Sequence, residues 1–259
     1  MELLEALILG LLQGVLEWLP VSSEGNLVVL AVTLLGLEAG DALSLSVYLH
    51  LGTGLAALVY FREEVVRILR RGSERDRRLF RFLLVSTVVT GVVGLPLYTF
   101  IRLAAFYGEA FLALTGLALI VTGLIQRARP SEPGRGESPL GLVEGALLGA
   151  VQGFAILPGL SRSGLTTSAL LFKGRPGEEA FRVSFLMSIP AIFSAVSGLA
   201  LIEGVPSLDL GFAVALLSSF LAALLSIDAL LKMARRLDFW GLCVLLGLLA
   251  LSPFVFLLF

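Results

Sequence analysis

Two short polar stretches carry the side chains that could do chemistry. The first runs Gln13-Gly14-Val15-Leu16-Glu17-Trp18-Leu19-Pro20-Val21-Ser22-Ser23-Glu24-Gly25-Asn26, the second Gln152-Gly153-Phe154-Ala155-Ile156-Leu157-Pro158-Gly159-Leu160-Ser161-Arg162-Ser163-Gly164. Both interrupt strongly apolar sequence. An ionisable group in such surroundings is costly and marks a cavity, a partner or a function, so Glu17 and Arg162 are the first candidates. A guanidinium is a fork of donors matched to phosphate oxygens. A serine becomes a nucleophile only beside a base, and Glu17 lies close enough along the chain to activate Ser22 or Ser23. Hydroxyls and free N–H groups at a helix start also bind anions. Together these parts suggest attack on a phosphoryl group, with Arg162 and backbone amides stabilising charge on the equatorial oxygens.

Each residue has a plainer reading beside this one. Glu17 and Arg162 could simply neutralise each other. Ser22 and Ser23 could be turn formers and N-caps. Gly10-x-x-x-Gly14 and Gly149-x-x-x-Gly153 read chiefly as close helix crossings. His50, the only histidine, is either a helix-to-helix hydrogen bonder or an accessory in proton transfer and cavity lining. No His/Cys/Asp cluster indicates a structural metal. A magnesium or calcium ion held by Glu17, joined by Glu24, and diphosphate oxygens fits the way such ions bind. No organic cofactor is expected.

The elements that position these residues follow from composition. Of 259 residues, 57% are hydrophobic and only 15% charged, with a mean hydropathy of +0.96. A soluble chain carries nearer a quarter charged residues, so this is a polytopic membrane protein. The N-terminal Met-Glu-Leu-Leu-Glu lacks a basic region, and Gln13 and Glu17 break the apolar run, so no cleavable signal is expected. The lone Cys243 forms no internal disulfide and reads as a small buried hydrophobe.

An apolar helix over 3–19 and a short one over 27–37 suggest a hairpin dipping into the membrane and turning at Pro20–Gly25. Irregular backbone at that depth is tolerated only where protein or a watery cavity satisfies it. Full spans are expected at 43–61, 80–101 and 108–126, with a charged loop from Arg62 to Arg81 between the first two. A polar connector covers 127–138. A second broken segment follows over 140–173, then spans at 182–203, 209–231 and 238–258. The fold class is therefore all-α: six transmembrane helices plus two re-entrant helix–loop–helix hairpins in one integral membrane domain.

Shifting residues 5–25 by 139 positions onto 144–164 pairs Glu5, Leu9, Gly10, Gln13, Gly14, Ser22 and Gly25 with identical residues. This reads as an internal duplication, 1–126 against 139–259. An odd number of spans per repeat makes the repeats inverted. With Arg62–Arg81 in the cytoplasm, seventeen of the nineteen Lys and Arg fall on that side, Arg102 alone lies outside, and Arg162 stays within the membrane. That asymmetry supports the topology. Both termini then lie outside, the hairpins enter from opposite faces, and their loops meet near the midplane. The site is expected to open to the outer face.

The two motifs resemble those of the undecaprenyl-diphosphate phosphatase family, the bacitracin-resistance type. Its Glu/Gln-x-x-x-Glu and Pro-x-Ser-Ser-x-Gly-His elements stand here as Gln13…Glu17 and Pro20-Val21-Ser22-Ser23-Glu24-Gly25-Asn26. Its Pro-Gly-x-Ser-Arg-Ser-Gly-x-Thr element stands as Pro158-Gly159-Leu160-Ser161-Arg162-Ser163-Gly164-Leu165-Thr166. The resemblance implies an inverted repeat with two re-entrant hairpins. It implies Ser23 as nucleophile, Glu17 as essential carboxylate and Arg162 as the phosphate-binding arginine. Gln13, Ser22, Asn26, Ser161, Ser163 and Thr166 become supporting or substrate-binding groups. Asn26 departs from the family pattern, which has histidine there, so the base is either Glu17 alone or Glu17 with help from His50.

The expected activity is hydrolysis of a polyprenyl diphosphate to the monophosphate and phosphate, recycling a lipid carrier of cell-wall or glycan assembly in the cell membrane. The expected partners are that lipid and the bilayer, with no nucleic acid; a homodimer is left open. The competing reading is a transporter that carries a polyprenyl phosphate between leaflets with the same site.

Overall fold

In hydrocarbon each backbone N–H and C=O must be satisfied within its own segment, which a helix does. The computed structural model describes residues 2–128, 140–207, 209–236 and 238–256, and among these every regular element is helical. In order they are α1 (Leu3–Leu16), α2 (Ser23–Leu35), α3 (Ala39–Tyr60), α4 (Arg62–Arg70), α5 (Glu74–Ala104), a 3-10 turn (Ala105–Tyr107) and α6 (Glu109–Ala128). Then follow α7 (Leu142–Phe154), α8 (Arg162–Phe172), α9 (Gly177–Glu203), α10 (Leu210–Arg236) and α11 (Trp240–Phe256). Five of them, α3, α5, α6, α9 and α10, are long and apolar enough to cross a membrane. The molecule is a multi-pass membrane protein.

Three boundaries differ from the sequence reading. Among the described residues α11 covers 17 residues and groups with the shorter apolar helices α1, α2 and α7, beginning at Trp240 rather than at 238 as expected for the sixth span. Residues 257 and 258 of that span, like 129–138 of the connector, lie outside the described residues. The first hairpin helix stops at Leu16 rather than 19, and the second begins at Ser23 rather than 27. Pro20 lacks an N–H and forces an early exit, and the Ser22 side chain caps the new helix by accepting from the Gly25 N–H at 3.2 Å.

The charged loop expected over 62–81 is also largely helical. Ser73 opens α5 with a capping box: its hydroxyl accepts from the Asp76 N–H at 3.1 Å, and Asp76 accepts from the Ser73 N–H at 3.3 Å. Glu74 pairs with Arg77 and Arg78 one turn on, at 3.2 and 3.0 Å. A run of charges at these spacings satisfies itself on a helix surface as well as it would in a loop.

Glycines set the closest helix contacts. Gly10 and Gly14 of α1 lie on Ala215–Ala223 of α10, and Gly145, Gly149 and Gly153 of α7 lie on Phe82–Val93 of α5. In both pairs the register rises together, so the helices run parallel. A methyl group on Gly14 would sit 2.6 Å from the Ser219 carbonyl, and one on Gly153 would sit 2.7 Å from Val93 Cβ. Backbones this close leave room only for glycine.

Charge collects at the two ends of the bundle. At one, Arg182 binds Glu64, Arg67 binds Asp76 at 3.3 Å, and the buried Arg175 binds Glu144 and Glu179 at 3.0 and 2.8 Å. At the other, Ser44, Tyr98 and Arg102 converge on Glu203 at 2.7, 2.6 and 2.9 Å. At the first end α4 therefore meets the N-termini of α5 and α9, and Arg175 ties the N-terminus of α7 to that of α9. The polar stretches of the two broken segments lie between these ends.

Candidate active site

The N-termini of α2 and α8 meet, joined by their capping serines. Ser22 Oγ accepts from the Gly25 N–H within its own turn and from the Gly159 N–H of the opposite loop, at 3.2 and 3.1 Å. Its backbone sits at φ 59°, a left-handed conformation that serine seldom adopts and that these two bonds hold in place. Ser161 caps α8 the same way, accepting from the Gly164 N–H at 3.1 Å, while its own N–H donates to Thr122 Oγ1 at 3.1 Å. Ser163 Oγ donates to the Leu19 carbonyl at 3.3 Å, and Gln126 Nε2 donates to the Pro20 carbonyl at 2.5 Å. A methyl group on Gly25 would lie 2.5 Å from the Gly159 nitrogen, so the loops touch backbone to backbone. Two helix N-termini thus meet, and the positive ends of their dipoles favour an anion there.

Glu17 sits at that point, at the C-cap of α1 and 5% exposed. Its Oε2 accepts from Ser23 Oγ at 2.7 Å and from Gln13 Nε2 at 3.2 Å, and lies 3.2 Å from His50 Nε2. Its Oε1 accepts from an Arg162 terminal nitrogen at 2.5 Å. His50 Nδ1 is 2.7 Å from the Ser46 carbonyl and must donate to it, which leaves Nε2 for Glu17. The other Arg162 nitrogen donates to the Ser184 carbonyl at 3.3 Å, and the guanidinium lies 5.3 Å from the Phe185 ring centre. Trp18 backs that ring at 5.3 Å and donates its indole N–H to the Ala223 carbonyl at 3.1 Å. The arrangement gives one carboxylate oxygen a hydroxyl and an imidazole, and the other a fixed cation.

A cavity of about 350 Å³ opens over this group. Glu17, Ser22, Ser23, Glu24, His50, Arg162 and Ser163 form its polar floor, and residues of α5 and α9 form apolar walls. Glu24 Oε1 is buried and has no hydrogen-bond partner.

The bacitracin resistance protein BacA family model matches residues 6–251, nearly the whole chain and both loops. This chain belongs to that family. It is 42% identical over 261 residues to an undecaprenyl-diphosphatase of Methanococcoides burtonii, covering 96% of this chain and 97% of the relative. It is 42% identical over 256 residues to one of Haloarcula marismortui, covering 95% and 94%. Against one of Saccharolobus solfataricus it is 37% identical over 263 residues, covering 96% and 94%.

In this BacA-family chain the residues expected at the site divide into two groups. Glu17, Ser22, Ser23, Glu24, His50, Ser161, Arg162 and Ser163 all line the cavity, whereas Gln13, Asn26 and Thr166 stand behind it. Gln13 is fully buried and braces Glu17. Asn26 donates from one amide nitrogen to the Val21 and Ser22 carbonyls at 2.7 and 2.8 Å, so at this position the side chain holds the turn. Thr166 Oγ1 donates to the Arg162 carbonyl at 2.8 Å and lies 2.6 Å from Ser184 Oγ.

Three contributors were not singled out in the sequence: Thr122, Gln126 and Ser184 hold the loops and Arg162 through the bonds above. Gln152, which opens the second polar stretch, lines the cavity while donating to Thr90 Oγ1 at 3.0 Å. Their signal was available: polar side chains inside spans, with Ser184 and Ser188 one turn apart on α9. The match of Gln13 with Gln152 across the 139-residue shift was another.

Proposed function

We propose that this protein hydrolyses undecaprenyl diphosphate or a similar polyprenyl diphosphate to the monophosphate and inorganic phosphate, with Ser23 as nucleophile. The observation that carries the reading is one buried carboxylate, Glu17, with the Ser23 hydroxyl on one oxygen and the Arg162 guanidinium on the other. A lipid carrier needs the anion grip but not a hydroxyl held on a base, so this contact favours hydrolysis over transport.

The step balances as follows. Ser23 Oγ attacks the terminal phosphorus and gives its proton to Glu17 Oε2, beside His50 Nε2. The anhydride P–O bond breaks, its electron pair goes to the bridging oxygen, and polyprenyl phosphate leaves. Water then attacks the phosphoserine, losing its proton to the Glu17–His50 pair, and the Ser23 oxygen is reprotonated as phosphate departs. Arg162 and the N–H groups of the α2 and α8 N-termini face the charge that develops on the equatorial oxygens. His50 thereby stands where Asn26 cannot serve, because the Asn26 amide neither gains nor loses a proton near neutral pH and is committed to the turn.

Glu24 and Glu17 are the groups that would hold a magnesium or calcium ion, with diphosphate oxygens and water completing its shell; such an ion supplies charge neutralisation. The buried, unpartnered Glu24 oxygen on the cavity suits that role.

For topology, the two halves are read as an inverted repeat. The parallel pairing of α1 with α10 and of α7 with α5, and the matching Ser22 and Ser161 caps, support it. The arginine-rich end is assigned to the cytoplasm, which places the Glu203 end and both termini outside in the cell membrane and opens the site to the outer half.

The test is phosphate release from a polyprenyl diphosphate by purified protein, with Ser23→Ala and Arg162→Ala beside it. Release by the unaltered chain and none by Ser23→Ala is the expected result. Equal release by Ser23→Ala would remove the serine from the mechanism, and no release by the unaltered chain would sink the enzyme.

A further inference from the structure

We propose that the slot between α5 and α9 receives the first isoprene units of the lipid tail, and that Gly91 and Gly198 are glycine because this tail needs their space. The proposal takes its ligand from the hydrolase reading above, and adds where the tail lies and which residues fit it.

The cavity does not stop at Glu17. It continues from Ser23 and Arg162 between α5 and α9 as far as Tyr98 and Ile202. Its walls there are small: Gly91 and Gly94 on one side, Ala191, Ala195 and Gly198 on the other. Most glycines at helix contacts in this molecule are demanded by protein packing, as at Gly14 and Gly153. Gly91 and Gly198 are not: a methyl group on either meets no protein atom within 4 Å. Glycine inside a helix costs about 1 kcal/mol relative to alanine, and protein contacts give no return for it at these two positions.

A second observation points to a ligand. Gln152 is 3% exposed, lines the same cavity, donates to Thr90 Oγ1 beside Gly91 at 3.0 Å, and leaves Oε1 without any partner. A buried acceptor of this kind needs a donor, which a water carried in with the ligand supplies. The polar floor around Glu17, Ser23 and Arg162 suits the headgroup and the slot the tail.

The size limits what enters. At about 350 Å³ the cavity is at the small end of the roughly 300–1,000 Å³ of small-ligand pockets. It takes a diphosphate and a few isoprene units, not a whole polyprenyl chain. Gly91, Leu95, Ser194 and Ala195 are exposed on the bundle surface, so the slot opens sideways and the remaining tail lies in the bilayer.

Gly91→Leu and Gly198→Leu fill the slot without touching the catalytic groups. With farnesyl diphosphate in detergent, each is expected to raise KM about tenfold, the scale of losing one buried isoprene contact, with kcat and melting temperature little changed. Gly241→Leu is the control, since it too meets no protein atom but stands on α11 away from the cavity. Should a glycine variant not fold, Ala195→Leu on the same wall gives the same readout. An unchanged KM in folded slot variants overturns the proposal while leaving the hydrolase reading intact. If the unaltered chain releases no phosphate, the hydrolase reading fails, and the slot is judged by radiolabelled farnesyl monophosphate. Weaker binding to the leucine variants than to Gly241→Leu then upholds it, and equal binding overturns it.

Discussion

Ser23 and Arg162 hold opposite oxygens of one carboxylate: Ser23 Oγ lies 2.7 Å from Glu17 Oε2 and Arg162 2.5 Å from Glu17 Oε1. They also occupy equivalent places, each the first residue of a helix capped by a serine, and the 139-residue shift lays one on the other. Two copies of one loop have thus taken different chemical parts, a nucleophile in one and a cation in the other.

Arg162→Lys keeps the charge but loses the fork that holds Glu17 and Ser184 together. Its kcat/KM for a prenyl diphosphate is expected to fall about 10²–10³-fold, the scale of removing one transition-state donor. Arg162→Met leaves Glu17 buried without its cation and is expected to lose about 3–5 kcal/mol of stability, read as a fall in melting temperature.

The two serines should separate cleanly. Ser23→Ala removes a hydroxyl whose one bond is to Glu17 and is expected to abolish phosphate release with little change in melting temperature. Ser22→Ala strips a donor-bridging oxygen from two loops, leaving the Gly25 and Gly159 N–H groups unmet, and is expected to cost about 1–3 kcal/mol in thermal stability.

His50 is tested by its conservative variant. His50→Gln can still donate to Glu17 but cannot take up a proton. If His50 shares proton work, kcat falls about 10²–10⁴-fold in both His50→Gln and His50→Leu. Full activity in His50→Gln would reduce His50 to a brace for Glu17.

Gly14→Val and Gly153→Val place a methyl 2.6–2.7 Å from the facing helix and are expected to destabilise by about 1–3 kcal/mol or more. Gly91→Val, in open space, should not. Melting temperatures of the three in one detergent make the comparison.

Glu17, Ser23 and Arg162 were legible as candidates because ionisable and hydroxyl groups are conspicuous in a chain that is 57% hydrophobic. Asn26 and Thr166 were legible as polar residues but not in their direction. Each side chain turned to backbone carbonyls of its own loop or helix, a choice set by turn geometry within a few residues. The Arg62–Arg81 run misled only in its backbone: its arginines are solvated, yet the three- and four-residue spacing of its charges and the Ser73 cap make helix rather than loop the lower-energy form.

The sequence by itself determined that this is a helical membrane protein with two broken segments, because its apolar runs are of helix-spanning length and Pro20 and Pro158 each stand among glycines and hydroxyls that offer the chain a turn. It also determined which residues were chemically able to act. Only the tertiary structure decided that Ser23, His50 and Arg162, from three helices, share one carboxylate. It alone showed that Gln152 and Ser184 belong beside them and that Gly91 and Gly198 face a cavity rather than a neighbouring helix. Those are matters of ångström-scale distance between segments from 22 to 145 residues apart. They depend on how closely the Gly14 and Gly153 helices can approach their partners, which no local pattern of residues encodes.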